Sequence, residues 1–112
     1  MSRTVRLDKP WLDLTPEAAA AVGGYMGVYQ LGDADGVVVR IGYAGGSSLF
    51  GLRGVLRAEA DNGGHAVRFR YEVTMAYLSR YRELLMVHVA DHGKLPVDNH
   101  EDSTSLGRLR PS

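Results

Sequence analysis

Apolar and charged residues alternate strictly over residues 67–73, VRFRYEV. A period of two marks a half-buried strand, and it sets Arg68, Arg70 and Glu72 on one face directed to water. Two further β-rich runs precede it, residues 25–31 and 37–41, separated by Gly32-Asp-Ala-Asp-Gly36. That linker has turn composition, so the pair reads as an antiparallel hairpin whose second strand ends at Gly42. Helical signals fill the rest. Thr15-Pro16-Glu17 supplies a hydroxyl cap, a proline for the first helical position and an acid in the first turn. The short helix it starts runs to Gly23-Gly24. Residues 52–60 place Leu52, Val55 and Leu56 on one side and Arg53 and Arg57, four apart, on another. Residues 75–92 form the longest helical segment, with Tyr77, Tyr81, Leu84, Leu85 and His88 at helical spacing and Gly93 positioned to end it. Trp11, Leu12 and Leu14 are expected to anchor an otherwise loose N-terminal segment.

These elements predict an α+β fold in the order α-β-β-α-β-α, a small three-stranded and mostly antiparallel sheet flanked by helices. The length, 112 residues, suits one domain. The absence of cysteine excludes disulfide frameworks, thiolate metal sites and cysteine nucleophiles. No apolar run approaches the roughly 20 residues of a spanning helix, and a cytoplasmic location is the expectation.

Charge changes the picture in one respect. Thirteen basic residues balance thirteen acidic ones, which counts against a strong non-specific DNA binder. The distribution is uneven. Residues 36–82 carry seven arginines against Glu59, Asp61 and Glu72, and residues 83–105 carry five acids against Lys94. Arginine, which outnumbers lysine eleven to two, is suited to bidentate phosphate contacts.

Several residues in this frame could carry chemistry. Gly27-Val28-Tyr29 lies on the first hairpin strand and Arg40-Ile41-Gly42 closes the second. Arg53 falls in the first turn of the next helix, Glu83 on the last long helix, and Asn99 beyond Pro96. This order and spacing resemble the GIY-YIG nuclease domain over about residues 25–99. The resemblance divides the chain into an N-terminal extension (1–24), a GIY-YIG-like domain (25–100) and a flexible tail (101–112). It implies an endonuclease that hydrolyses DNA phosphodiesters with one Mg²⁺ or Mn²⁺ ion on Glu83, a carboxylate suited to such hard cations. Arg53 would hold the scissile phosphate, Tyr29 would activate water and Asn99 would position the glutamate or phosphate. The second tripeptide departs from the family by opening with Arg40 where tyrosine belongs; Tyr43 is the neighbouring phenol. Arg57 and His65 would contact phosphate or leaving group, and Arg68 and Arg70, with Arg80, Arg82 and tyrosines 71, 77 and 81, would suit nucleic acid. No appended DNA-binding domain is expected, so sequence specificity would come from a homodimer, a partner protein or the N-terminal 24 residues.

Each candidate also has an ordinary reading. Tyr29 can be a core aromatic, and Arg53 and Arg57 a solvated helix face. Glu83 adjoins Leu84-Leu-Met-Val; because an unpaired buried carboxylate is costly, it requires a cation or an arginine, and Arg80 is three residues away. His88 and His92 could hold zinc from one helix face, but no third ligand is set by spacing, and a core histidine beside a helix-terminal one explains the pair. Gly42-Tyr-Ala-Gly-Gly-Ser-Ser48 lacks the P-loop ending and reads as a flexible loop. Beside the nuclease stand a catalytically silent module binding nucleic acid or protein, and an interaction protein without nucleic-acid contact.

Overall fold

The structure is a computed structural model that describes residues 6–62 and 64–102. Four strands, β1 (Leu12–Asp13), β2 (Gly27–Gly32), β3 (Val38–Ala44) and β4 (Arg68–Val73), form one antiparallel sheet in the order β1-β4-β2-β3. Three helices, α1 (Pro16–Ala20), α2 (Gly51–Asn62) and α3 (Tyr77–His92), and a 3-10 helix (Val97–Asp102) complete the chain. The sheet thus has four strands, not three. The additional one pairs only Leu12 with Phe69 and Asp13 with Arg68. Two residues are too few for a periodic signal.

Strand β2 lies between β3 and β4, and its alternating side chains build two cores. Tyr29 and Leu31 pack with Ala19 and Val22 near α1, Leu52 and Leu56 of α2, and Phe69 of β4. Val28 packs on the opposite face with Ile41, with Tyr81, Leu84 and Leu85 of α3, and with Leu7 of the N-terminal segment. Fully burying one such side chain contributes about 1.5–3 kcal/mol. The anchor expected of Trp11, Leu12 and Leu14 is therefore shared with Leu7, which is buried, while Leu12 is exposed.

Helix signals are where the residues place them. Thr15 Oγ accepts the Ala18 N–H at 3.0 Å, Pro16 opens α1, and Gly93 closes α3 at φ 79°. Helix α3 starts two residues later than its pattern: Ala76 is its N-cap, with non-helical backbone at ψ 47°, and the Ala76 N–H donates to Thr74 Oγ1 at 3.1 Å. Strand β3 runs on through Gly42 to Ala44, so Tyr43 is a strand residue, opposite Val28. Gly42 is demanded inside the strand: a Cβ there would stand 2.4 Å from the Tyr29 hydroxyl.

An irregularity in the hairpin sets the direction of Arg40. The β2–β3 register shifts between Leu31, opposite Arg40, and Gly32, opposite Val38, so Val39 is an extra residue. A bulge puts consecutive residues on one face and re-aims the second. Val39 joins the α2-side core, and Arg40 next to it also turns toward α2, where it meets Glu59.

The expected tail divides. Residues 101–102 complete the 3-10 helix that begins at Val97 and lies against the outer side of β3, whereas 103–112 lie outside the described residues.

Candidate functional site

Tyr29, 4% exposed, donates its hydroxyl to Glu59 Oε2 at 3.1 Å, and Arg40 Nε lies 3.2 Å from the same oxygen. Burial raises the Tyr29 phenol well above its ordinary value, with Glu59 adding to the rise and Arg40 opposing it. In this setting the protonated phenol acts as a hydrogen-bond donor to Glu59. Arg40 also donates through Nη1 to the Asp98 carbonyl at 2.8 Å, so this network ties α2 to the 3-10 helix.

Asn99 is fully buried and stands against the outermost strand. Its Oδ1 accepts the Ile41 N–H at 2.7 Å, and its Nδ2 donates to the Ile41 carbonyl at 2.9 Å. A carboxamide offers the same donor and acceptor as a peptide group, so Asn99 imitates one residue of a paired strand.

Glu83 lies in the other layer. Arg80 donates from Nη1 to Glu83 Oε1 and also pairs with Glu72 of β4, Nη2 to Oε1 at 3.1 Å. Arg80 is thus the partner of Glu83, whose carboxylate is half-buried and not desolvated as its apolar neighbours suggested. Among the described residues no hydrogen bond or ion pair joins Tyr29, Arg53 and Glu83. The first packs in the α2-side core, and the last pairs on the α3 side. Among the described residues, no group of three or more His, Asp or Glu side chains could hold a metal ion.

The expected phosphate contacts are occupied or dispersed. Arg57 pairs with Asp61 at 3.7 Å and His65 Nε2 with Asp98 Oδ2 at 3.0 Å. Arg70 donates to Gln30 Oε1 at 2.8 Å and covers the Trp11 ring with its guanidinium 4.1 Å from the centroid. The face expected to be wet is half-buried instead, under α3 and the N-terminal segment. Alternation reports charged side chains but does not distinguish water from a helix bearing the opposite charge. Arg68 is half-buried on the same strand. His88 and His92 stand with ring centroids 4.4 Å apart; burial lowers the His88 pKa and the His92 charge lowers it further.

A different surface stands out. Where β2 begins, β3 and β4 end: Gly27 faces Ala44 and Val73. The Leu52 N–H donates to the Tyr25 carbonyl at 2.8 Å and the Thr74 N–H to the Met26 carbonyl at 3.1 Å, bringing the start of α2 and the chain after β4 to the same end. The contributing segments, 23–27, 43–55 and 73–77, hold one charged residue, Arg53. They expose Tyr25 (61%), Leu49 (76%), Phe50 (60%) and Met75 (75%). Arg53 lies over the Phe50 ring, 5.8 Å from its centroid. Phe50 itself has φ 65° and precedes Gly51 at φ 59°. Left-handed backbone costs a phenylalanine about 1–2 kcal/mol relative to glycine. The sequence pattern assigned Tyr25 to a strand and Met75 to a helix and left Leu49 and Phe50 in a loop, whereas all four lie outside the observed elements. The signal that could have found them is the absence of any acid from residue 37 to residue 58.

A family model described as a domain of unknown function, DUF7508, matches residues 5–91, and the chain belongs to that family. No curated protein and no solved structure matches the chain. The assignment replaces the GIY-YIG resemblance drawn from the tripeptides. The landmarks behind that resemblance have structural causes. A Cβ at Gly27 would stand 2.2 Å from the Glu72 carbonyl oxygen, Gly42 makes room for Tyr29, Asn99 closes a strand edge, and Glu83 answers Arg80.

Proposed function

We propose that the chain is a binding module without hydrolytic chemistry, and that it docks a partner protein at the end of the sheet formed by Tyr25, Leu49, Phe50, Arg53 and Met75. Protein interfaces concentrate aromatic residues, methionine and arginine at their centres and exclude acids and lysine. This end has that composition. The single observation that carries the reading is Phe50. Its backbone is strained, and its ring is mostly directed to water. Packing within the chain does not repay the strain, whereas a partner covering the ring would. A nucleic-acid strand suits the surface less well. Phosphate binding scales with the number of cations engaged, and one arginine serves this end while Arg40, Arg70 and Arg80 have partners inside the fold.

The test is photo-crosslinking from a benzoylphenylalanine at position 49 in cells that express the chain, with the adducts identified by mass spectrometry. The expected result is one recurring protein adduct that disappears when Phe50→Gly is added. Adducts to nucleic acid, or protein adducts indifferent to Phe50→Gly, would overturn the reading.

A further inference from the structure

We infer that the partner enters as an extended segment whose backbone pairs with the free edge of β3 at Tyr43; this rests on the proposed docking role of the sheet end. Strand β3 is the outermost strand beside β2. In an antiparallel ladder, successive residues direct their N–H and C=O groups alternately toward the neighbouring strand and away from it. The Asn99 bonds show that Ile41 is an outward residue. The next outward residue is therefore Tyr43. Among the described residues, no side chain or loop hydrogen-bonds to its N–H or carbonyl. The amides just beyond are closed: Gly45 N–H donates to Ser48 Oγ at 3.0 Å and Gly46 N–H to Tyr77 Oη at 3.2 Å.

Three features make this stretch of edge receptive. Asn99 already shows which group fits, since it holds a peptide-like carboxamide against Ile41 with both bonds below 3 Å. Natural edges are commonly guarded by lysine, other charges or proline, and residues 41–48, IGYAGGSS, contain none of these. The Tyr43 ring is held on the α3 side, stacked on Tyr77 at 5.8 Å and edge-on to Tyr81 at 4.8 Å, so it does not fold over the backbone edge. An added strand obtains affinity from main-chain hydrogen bonds and selectivity from its side chains. Here the chain leaving β3 leads within six residues to Leu49 and Phe50, where apolar side chains of the added segment would rest. The lone cation of this end, Arg53, selects an acidic residue in that segment.

The probe is a phage-displayed library of random 12-residue peptides selected on the full chain, followed by the synthetic forms of the enriched sequences. The chain is compared with a semisynthetic version carrying an N-methyl group on the Tyr43 amide. Ligation at position 44 through a temporary cysteine, then desulfurised to Ala44, makes it without touching other residues, because the chain has no cysteine. The expected result is peptides that bind the native chain and bind the N-methylated chain at least tenfold more weakly at unchanged melting temperature. Phe50→Gly should weaken the same peptides. Peptides indifferent to N-methylation but lost on Phe50→Gly would overturn strand addition and leave the docking surface standing. Peptides indifferent to both changes would overturn both readings. An empty selection, or a dimer in sedimentation that N-methylation dissolves, would overturn the peptide as occupant, the latter in favour of a second copy of the chain.

Discussion

Two regions of this molecule treat their side chains in opposite ways. At the junction of α2, β3 and the 3-10 helix, Tyr29, Glu59, Arg40, Asp98 and Asn99 satisfy one another or the backbone. At the end of the sheet around Phe50, apolar groups are left facing water over a strained backbone. In the first region, residue types that can serve catalysis are engaged with one another or with the backbone. The second contains almost no reactive chemistry and is the one whose cost the fold does not explain. Chemical reactivity of a side chain is therefore a poor guide here; unrepaid exposure and strain are the better one.

The contrast breaks most sharply at Asn99. Asn99→Ala leaves the Ile41 N–H and carbonyl without their partner. A buried group left unsatisfied costs about 1–3 kcal/mol, so a loss of roughly 2–4 kcal/mol is expected, visible in chemical denaturation. Calorimetry should show the melting temperature falling by about 10 °C or more, as a chain of this size loses roughly 4–8 °C per kcal/mol. Unchanged stability would mean that the junction is not cohesive.

Tyr29→Phe is the next test, with an expected cost of about 1–2 kcal/mol near neutral pH. Burial and Glu59 raise the folded-state pKa of Tyr29. The stability it contributes is complete below the unfolded value near 10 and is lost as pH climbs from there toward the raised folded value. The difference between wild type and Tyr29→Phe should therefore shrink between about pH 10 and 11 in urea titrations. A constant difference would show that the phenol ionises alike in both states.

Phe50→Gly sharpens the contrast because its sign is reversed. Removing a side chain normally destabilises, but here the left-handed backbone is relieved. A gain of about 0.5 kcal/mol is expected, the relief being partly offset by the entropy of glycine in the unfolded chain. A clear loss in thermal denaturation would show that the ring already has a structural role. The smallest effect should come from Arg57→Gln, whose partner Asp61 is equally exposed at 3.7 Å. Exposed pairs contribute about 0.2–1 kcal/mol, and a change below roughly 0.5 kcal/mol is expected in the same assay.

Much of the fold is legible in the residues alone. The cap at Thr15, the stop at Gly93, the hairpin and the alternation of β4 are local signals, and each marks an element within a few residues of its place. The site is less legible. Tyr29 and Glu83 differ in layer because neighbouring elements pack on opposite faces of one sheet, which no spacing along the chain reports. The turn of Arg40 toward Glu59 comes from a one-residue bulge, a property of two paired strands together.

By itself the sequence determined the α+β class, the hairpin, strand β4 and the three helices, but not the two-residue strand β1, and it left Glu83 a choice between a cation and an arginine as its partner. These stem from backbone propensity, periodicity and the cost of burying charge, all of which act over a few residues. Only the tertiary structure decided that Arg80 is that partner, that Asn99 closes a strand edge, and that one end of the sheet is uncharged but for Arg53. Those outcomes depend on which distant segments meet, and the meeting is set by the global packing of the two cores.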